Sequence, residues 1–128
     1  MSIEHISVAS NSEKLSDEFF VELLGLKKTR EFIVGRENME KFFGVDEDHK
    51  LIRYANELMD VEVVITNSTS KSKDIFTHSC LIIKDRDEFV NEAETKGYRV
   101  VKVPRENSEN YYMFIKDKFG NLFEIKSS

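Results

Sequence analysis

Hydrophobic and polar positions along this chain switch between two periods, and the switches come in the same order twice. Ile3 to Ala9 alternates, with Ile6 and Val8 on one side and His5 and Ser7 on the other, which predicts a strand. After Asn11 or Ser12, either of which caps a helix well, Leu15, Phe19 and Leu23 recur at every fourth position and Phe20 pairs with Leu24. Gly25 is the natural end of that helix. Lys28 to Val34, Leu51 to Tyr54 and Val61 to Thr66 predict three more strands. Residues 35–50 between them are charged and carry Met39, Phe42 and Phe43 at helical spacing, without a defined element.

Ser68 to Asp74 is polar and aperiodic, a connector. Beyond it Phe76 to Ile83 predicts a strand, and Asp85 with Glu88 forms a capping box. The short helix that follows carries Phe89, Val90 and Ala93 on one side and ends at Gly97. Tyr98 to Val103, closed by Pro104, then Tyr111 to Lys116 and Leu122 to Lys126, are strands, the last two joined by turn chemistry at Asp117–Asn121. The fold class expected is α+β: two βαβββ modules, about 1–67 and 75–128, in a single domain. Their mixed sheets would form a partly closed barrel around a concave metal or ligand site. Leu15, Phe19, Leu23, Phe89, Val90 and Ala93 would pack on the outer faces.

Composition narrows the classes of function. The chain has 128 residues, enough for one domain with a real core. A net charge of −5 opposes binding to nucleic acid or anionic lipid. No apolar run reaches the roughly 18 residues of a membrane span, and the N-terminus lacks signal-peptide features. Cys80 is the only cysteine, which suits a reducing compartment and implies a cytoplasmic protein.

Four titratable residues fall at matching places in the two modules. His5 and His78 lie in the first strand of each, Glu62 and Glu124 in the last. Alternation puts apolar neighbours opposite each of them: Ile6 and Val8; Val61, Val63 and Ile65; Leu81 and Ile83, though with Thr77 and Ser79 beside them; Phe123 and Ile125. All four therefore belong on the concave face. Unpaired carboxylates are costly to bury, and neutral imidazole with carboxylate is a ligand set for zinc, nickel, manganese or iron. A divalent metal ion is the expected cofactor.

Those residues also carry a family resemblance. His5-Ile6-Ser7-Val8, Ser16, Phe19-Phe20 and Leu24-Gly25-Leu26 resemble the opening signature of glyoxalase I and its vicinal oxygen chelate relatives. Tyr111 to Asp117, continuing through Phe119-Gly120-Asn121-Leu122-Phe123-Glu124-Ile125, is similar to the family's closing segment. The resemblance implies metal ligation by His5, Glu62, His78 and Glu124, with Val64 an alternative at the Glu62 slot. It also implies that the metal polarises a carbonyl while a carboxylate removes the adjacent proton, with Glu124 as base and Glu62 its counterpart. Where the family has Phe-Tyr and Asp-Pro, this chain has Phe19-Phe20 and Asp117-Lys118. No counterpart of the glutathione-holding residues stands out; Arg30, Arg36, Arg53 and Arg105 are the residues able to grip an anionic substrate.

The function expected is a metal-dependent lyase or isomerase acting next to a carbonyl of a small-molecule substrate. The alternative is a non-catalytic binding or sequestering protein of the same fold. A ring-cleaving dioxygenase fits less well, because such enzymes use two histidines and one glutamate. The resemblance further implies a homodimer; Phe42 and Phe43 read first as ordinary packing, with the substrate groove or a dimer contact as alternatives. His49, amid Asp46-Glu47-Asp48, reads as solvated, Cys80 as a small core residue on the His78 face, and the Asp117 turn as structural.

Overall fold

Ser12 opens the first helix as its position predicts: its backbone is extended and its Oγ accepts the Leu15 N–H at 3.1 Å. The structure, a computed structural model, describes residues 3–68, 76–105 and 110–127. It divides into two compact units, Met1–Lys71 and Ser72–Ser128. Past Ser68, the connector to Asp74 lies outside the described residues.

The first unit runs β1 (Ile6–Ser10), α1 (Glu13–Ser16), a π-helix (Asp17–Leu23), β2 (Lys27–Val34), α2 (Arg36–Phe43), β3 (His49–Ala55) and β4 (Asp60–Ile65). Its four strands are ordered β1-β4-β3-β2, with β1 parallel to β4 and the other pairs antiparallel. The second unit runs β5 (His78–Ile83), α3 (Arg86–Thr95), β6 (Val100–Pro104), β7 (Tyr111–Lys116) and β8 (Leu122–Ser127). Its order, β5-β8-β7-β6, repeats the first pattern of one parallel and two antiparallel pairs. The α+β class and the two βαβββ modules are as expected. Among the described residues neither sheet closes on itself.

Several expected boundaries move, each for a physical reason. The first helix tightens only briefly before widening into the π form, where Leu24 N–H bonds back five residues to the Phe19 carbonyl at 3.0 Å. The wider turn carries Phe19, Phe20 and Leu23 into the core but leaves Leu15 and Leu24 half-buried. Tyr98 belongs to a helix stop, not to β6. Gly97, at φ 85°, lets Tyr98 N–H return to the Ala93 carbonyl at 2.9 Å, a Schellman closure. Pro104 extends β6, which is an edge strand, where a missing N–H costs nothing. The undefined stretch contains α2, which buries Met39 and stops at left-handed Gly44.

In the first unit Tyr54, Ile52, Val61 and Val63 are buried on one face of the sheet, with the Phe20 ring stacked on Tyr54 at 5.1 Å. In the second, Met113, Ile115, Phe123 and Ile125 do the same, and α3 buries Phe89, Val90 and Ala93. The Asp117 turn is structural as expected. Its Oδ1 accepts the N–H groups of Phe119, Gly120 and Asn121, and its Oδ2 accepts from the Asn121 amide.

A polar cluster locks the π-helix to the buried face of the first sheet. Lys28 Nζ lies 2.9 Å from Asp17, and the Tyr54 hydroxyl donates to Asp17 at 2.7 Å. Burial pulls the Lys28 ammonium down, but the hydrogen bond to Asp17 and the charges of Asp17, Glu13 and Glu31 outweigh it, so its pKa lies above the ordinary value. Burial, then the Asp17 contact, pushes the Tyr54 phenol far up. Both groups therefore bind protons more tightly folded than unfolded. Their contribution to stability is complete below the unfolded values, about 10, and is lost as pH rises toward the folded ones. Urea midpoints are expected to hold from about pH 8 to 9.5 and then to fall, less steeply in Lys28→Met and Tyr54→Phe. Equal slopes in wild type and both variants would refute this.

Candidate metal centre

Each unit brings one histidine and one glutamate together. In the first, Glu62 lies on β4 directly opposite Ser7 of β1 and Arg53 of β3, and directly opposed residues point to the same side. Its neighbours Val61 and Val63 are fully buried on the other side, so alternation turns Glu62 away from the π-helix. His5 is not in the strand as expected: β1 begins one residue later, at Ile6. It still reaches the same face, where its Nε2 lies 4.0 Å from Glu62 Oε1 and its Nδ1 3.2 Å from Glu4. Val64 lies two positions further along that face.

Glu62 is buried, at 8% exposure, and its charge is met by Arg53. Arg53 Nε donates to Glu62 Oε2 at 2.9 Å and a terminal nitrogen donates to Asp60 at 3.1 Å. Burial opposes the guanidinium charge, but the Glu62 and Asp60 contacts outweigh it and hold its pKa above the ordinary value. One Glu62 oxygen is thus clamped while the other faces His5.

The second pair is arranged differently. His78 opens β5 and shares its face with Cys80, Glu124 and Phe114 through the register Cys80↔Glu124↔Phe114. The Phe76 carbonyl accepts from His78 Nδ1 at 2.9 Å, which puts a proton on Nδ1 and turns Nε2 outward. That Nε2 lies 3.6 Å from Glu124 Oε2. The Phe114 ring stands edge-on to the imidazole at 5.8 Å. Among the described residues no lysine or arginine lies within 4.0 Å of Glu124. An imidazole nitrogen and a carboxylate oxygen facing each other so closely are suited to hold a cation or a proton between them. A backbone carbonyl orienting a ligand imidazole is the usual outer support of a metal site, so the donor set fits a divalent ion. Among the described residues no three His, Cys, Asp or Glu side chains are gathered into one group. Each unit therefore offers a pair, not a full ligand set.

Two expectations need correcting. His49 is not solvated but buried at the start of β3, with Nδ1 2.9 Å from the Ile65 carbonyl and Nε2 3.4 Å from Glu47. Its place in β3 and the Ile65 carbonyl, a contact across strands, hold it in, which composition alone does not show. Cys80 is exposed rather than a core residue, because its face of the second sheet is the uncovered one. Arg53, weighed from sequence only as one of four arginines, proves to be the partner of Glu62. The signal lay in the hairpin: with the turn placed at Asn56–Met59, where Asn56 N–H donates to the Met59 carbonyl, the register puts Arg53 opposite Glu62.

The comparisons agree with this fold. The model of the Glyoxalase/Bleomycin resistance protein/Dioxygenase superfamily matches residues 2–125, and the chain belongs to that superfamily. A glyoxalase family protein of Bacillus cereus superposes with TM-score 0.75 at 16% identity, covering 98% of this chain and 92% of that one. The trypanothione-dependent glyoxalase I of Leishmania major gives 0.74 at 17%, covering 99% and 86%. A variant of the fosfomycin resistance protein FosX of Listeria monocytogenes, solved with Mn(II) and 1S,2S-dihydroxypropylphosphonic acid, gives 0.72 at 12%, covering 97% and 87%. A search of curated protein sequences finds no match. Among the described residues no helix is long and apolar enough to cross a membrane.

Proposed function

We propose that this protein is a metal-dependent lyase or isomerase of the glyoxalase-like type, with His5, Glu62, His78 and Glu124 as metal ligands. The observation that carries the reading is the His78–Glu124 pair: an imidazole Nε2, oriented through Nδ1 by the Phe76 carbonyl, 3.6 Å from a carboxylate that no lysine or arginine of the described residues approaches within 4.0 Å. The metal in the solved FosX supports a divalent cofactor here, with zinc, nickel, manganese and iron as the candidates. Such an ion supplies Lewis-acid polarisation of a substrate carbonyl.

This chain's own groups do the rest. Phe76 and Glu4 hold the two imidazoles in orientation through Nδ1. Arg53 fixes Glu62, which suits that carboxylate to holding rather than to moving a proton. Glu124, free of such a clamp, is the residue that takes the proton from the carbon beside the carbonyl and returns it to the neighbouring atom. Phe114 gives the site an apolar wall. The partner is a small molecule, and a cytoplasmic location and a homodimer belong to the same reading. Phe42 and Phe43, paired edge-on at 6.1 Å and more than half exposed on α2, support the dimer.

The non-catalytic binding reading draws on one observation, the Arg53 contact, which neutralises Glu62 without any metal. One experiment separates them. Untagged protein is incubated with zinc, nickel, manganese or iron, dialysed, and examined for metal content, melting temperature and sedimentation. The metalloenzyme reading expects close to one ion per chain, a raised melting temperature and a dimer. Metal-free protein after all four incubations leaves the binding module, and a monomer of 15.0 kDa removes the dimer.

A further inference from the structure

We infer that Arg30 is an anion-recognition residue of the His5–Glu62 face, so that the small molecule handled there carries a carboxylate- or phosphate-type oxyanion. This rests on the proposed site and adds its substrate class. The structure sorts the four arginines sharply. Arg36 is paired with Asp46 at 2.9 Å and Arg53 with Glu62 and Asp60. Arg105 lies in the second unit, stacked on Tyr112 at 4.4 Å. Arg30 is stacked over Phe32 at 4.3 Å, and no carboxylate of the described residues lies within 4.0 Å of it.

Its position is tied to the site by register. Arg30 pairs with Arg53, Arg53 with Glu62 and Glu62 with Ser7, one row across all four strands. Neighbouring strands lie about 4.8 Å apart, so the Arg30 backbone is about 10 Å from that of Glu62. An anion at Arg30 and an oxygen at the metal pair are thus within the span of one small molecule. Glu31, the nearest acid in sequence, points to the opposite face, where it pairs with Lys50 at 3.0 Å.

The fold alone gives Arg30 no reason to be there. Arg30 stands directly opposite Arg53, another cation whose carboxylate partners, Glu62 and Asp60, are already engaged, so the register supplies Arg30 with no counter-charge. A solubilising edge charge needs neither that register nor a ring to lie on. The Phe32 ring, 4.3 Å from Arg30 Cζ, restrains the exposed guanidinium without using its N–H groups, which stay available to receive an oxyanion through two parallel hydrogen bonds.

Inorganic phosphate is the probe, titrated into metal-free protein and followed by the arginine side-chain Nε–H signals. Wild type is expected to bind it in the millimolar range, with the signal lost in Arg30→Gln among those that move. Arg30→Gln should weaken binding by about five- to tenfold, and Arg30→Lys by less. Lys41→Gln, which removes one positive charge from α2, should bind as wild type. No saturable binding up to about 50 mM, or equal binding by wild type and Arg30→Gln, overturns the inference. Equal weakening in Lys41→Gln does so too, since net charge would then explain it. Because the titration uses no metal, failure of metal uptake leaves its result unaffected and refutes the metalloenzyme reading alone.

Discussion

Glu124→Gln is expected to keep a bound metal, though more weakly, while proton transfer slows by about 10²–10⁴-fold. The amide preserves the side chain's shape and one ligating oxygen, so the contact with His78 Nε2 at 3.6 Å survives. It cannot accept a proton from carbon, which is the step assigned to this residue. The readout is loss of deuterium from the carbon beside the carbonyl of a small carbonyl substrate, measured on metal-loaded protein. His78→Ala is the companion variant, because it removes a ligand and leaves Glu124 without its described partner. There metal content should collapse and any metal-linked thermal stabilisation disappear with it. Glu124→Gln turning over at the wild-type rate would move the proton transfer to Glu62, whose clamp by Arg53 would then need another explanation.

The largest structural effect is expected from Phe20→Ala, a loss of about 3–5 kcal/mol of folding stability. Phe20 is fully buried, edge-on to Phe19 at 5.0 Å and stacked on Tyr54 at 5.1 Å. Its removal opens a cavity between the π-helix and the first sheet, at the point where Tyr54 also anchors Asp17. A domain with total stability of about 5–15 kcal/mol loses a large share of it in this way. Phe42→Ala is the control: that ring is 63% exposed on α2, and its loss should change monomer stability by about 0.5 kcal/mol or less. Chemical denaturation of both variants checks the pair. A Phe20→Ala midpoint close to that of Phe42→Ala would mean that the π-helix is not held by this contact.

Alternation along single strands was enough to place Glu62 and Glu124 opposite buried valines, phenylalanine and isoleucine, because direction in a strand depends only on position parity. Caps were equally local: Ser12 and Asp85 each accept an N–H three residues ahead, as their spacing foretold. The order of elements, and with it the α+β class, followed from these signals. Contacts between strands far apart in sequence did not. Arg53 meets Glu62 and Arg30 opposes Arg53 only once the hairpin register is set, and register depends on turn geometry and packing together. His49 looked like a solvated residue in an acidic run and is buried, because it opens β3 and its imidazole meets the Ile65 carbonyl of the neighbouring strand. The π-helix was hidden for a similar reason: the same apolar residues suit an ordinary helix, and the packing of Phe19, Phe20 and Leu23 into the core goes with the wider turn. Sequence determined which residues could form the site, and tertiary structure decided which of them touch.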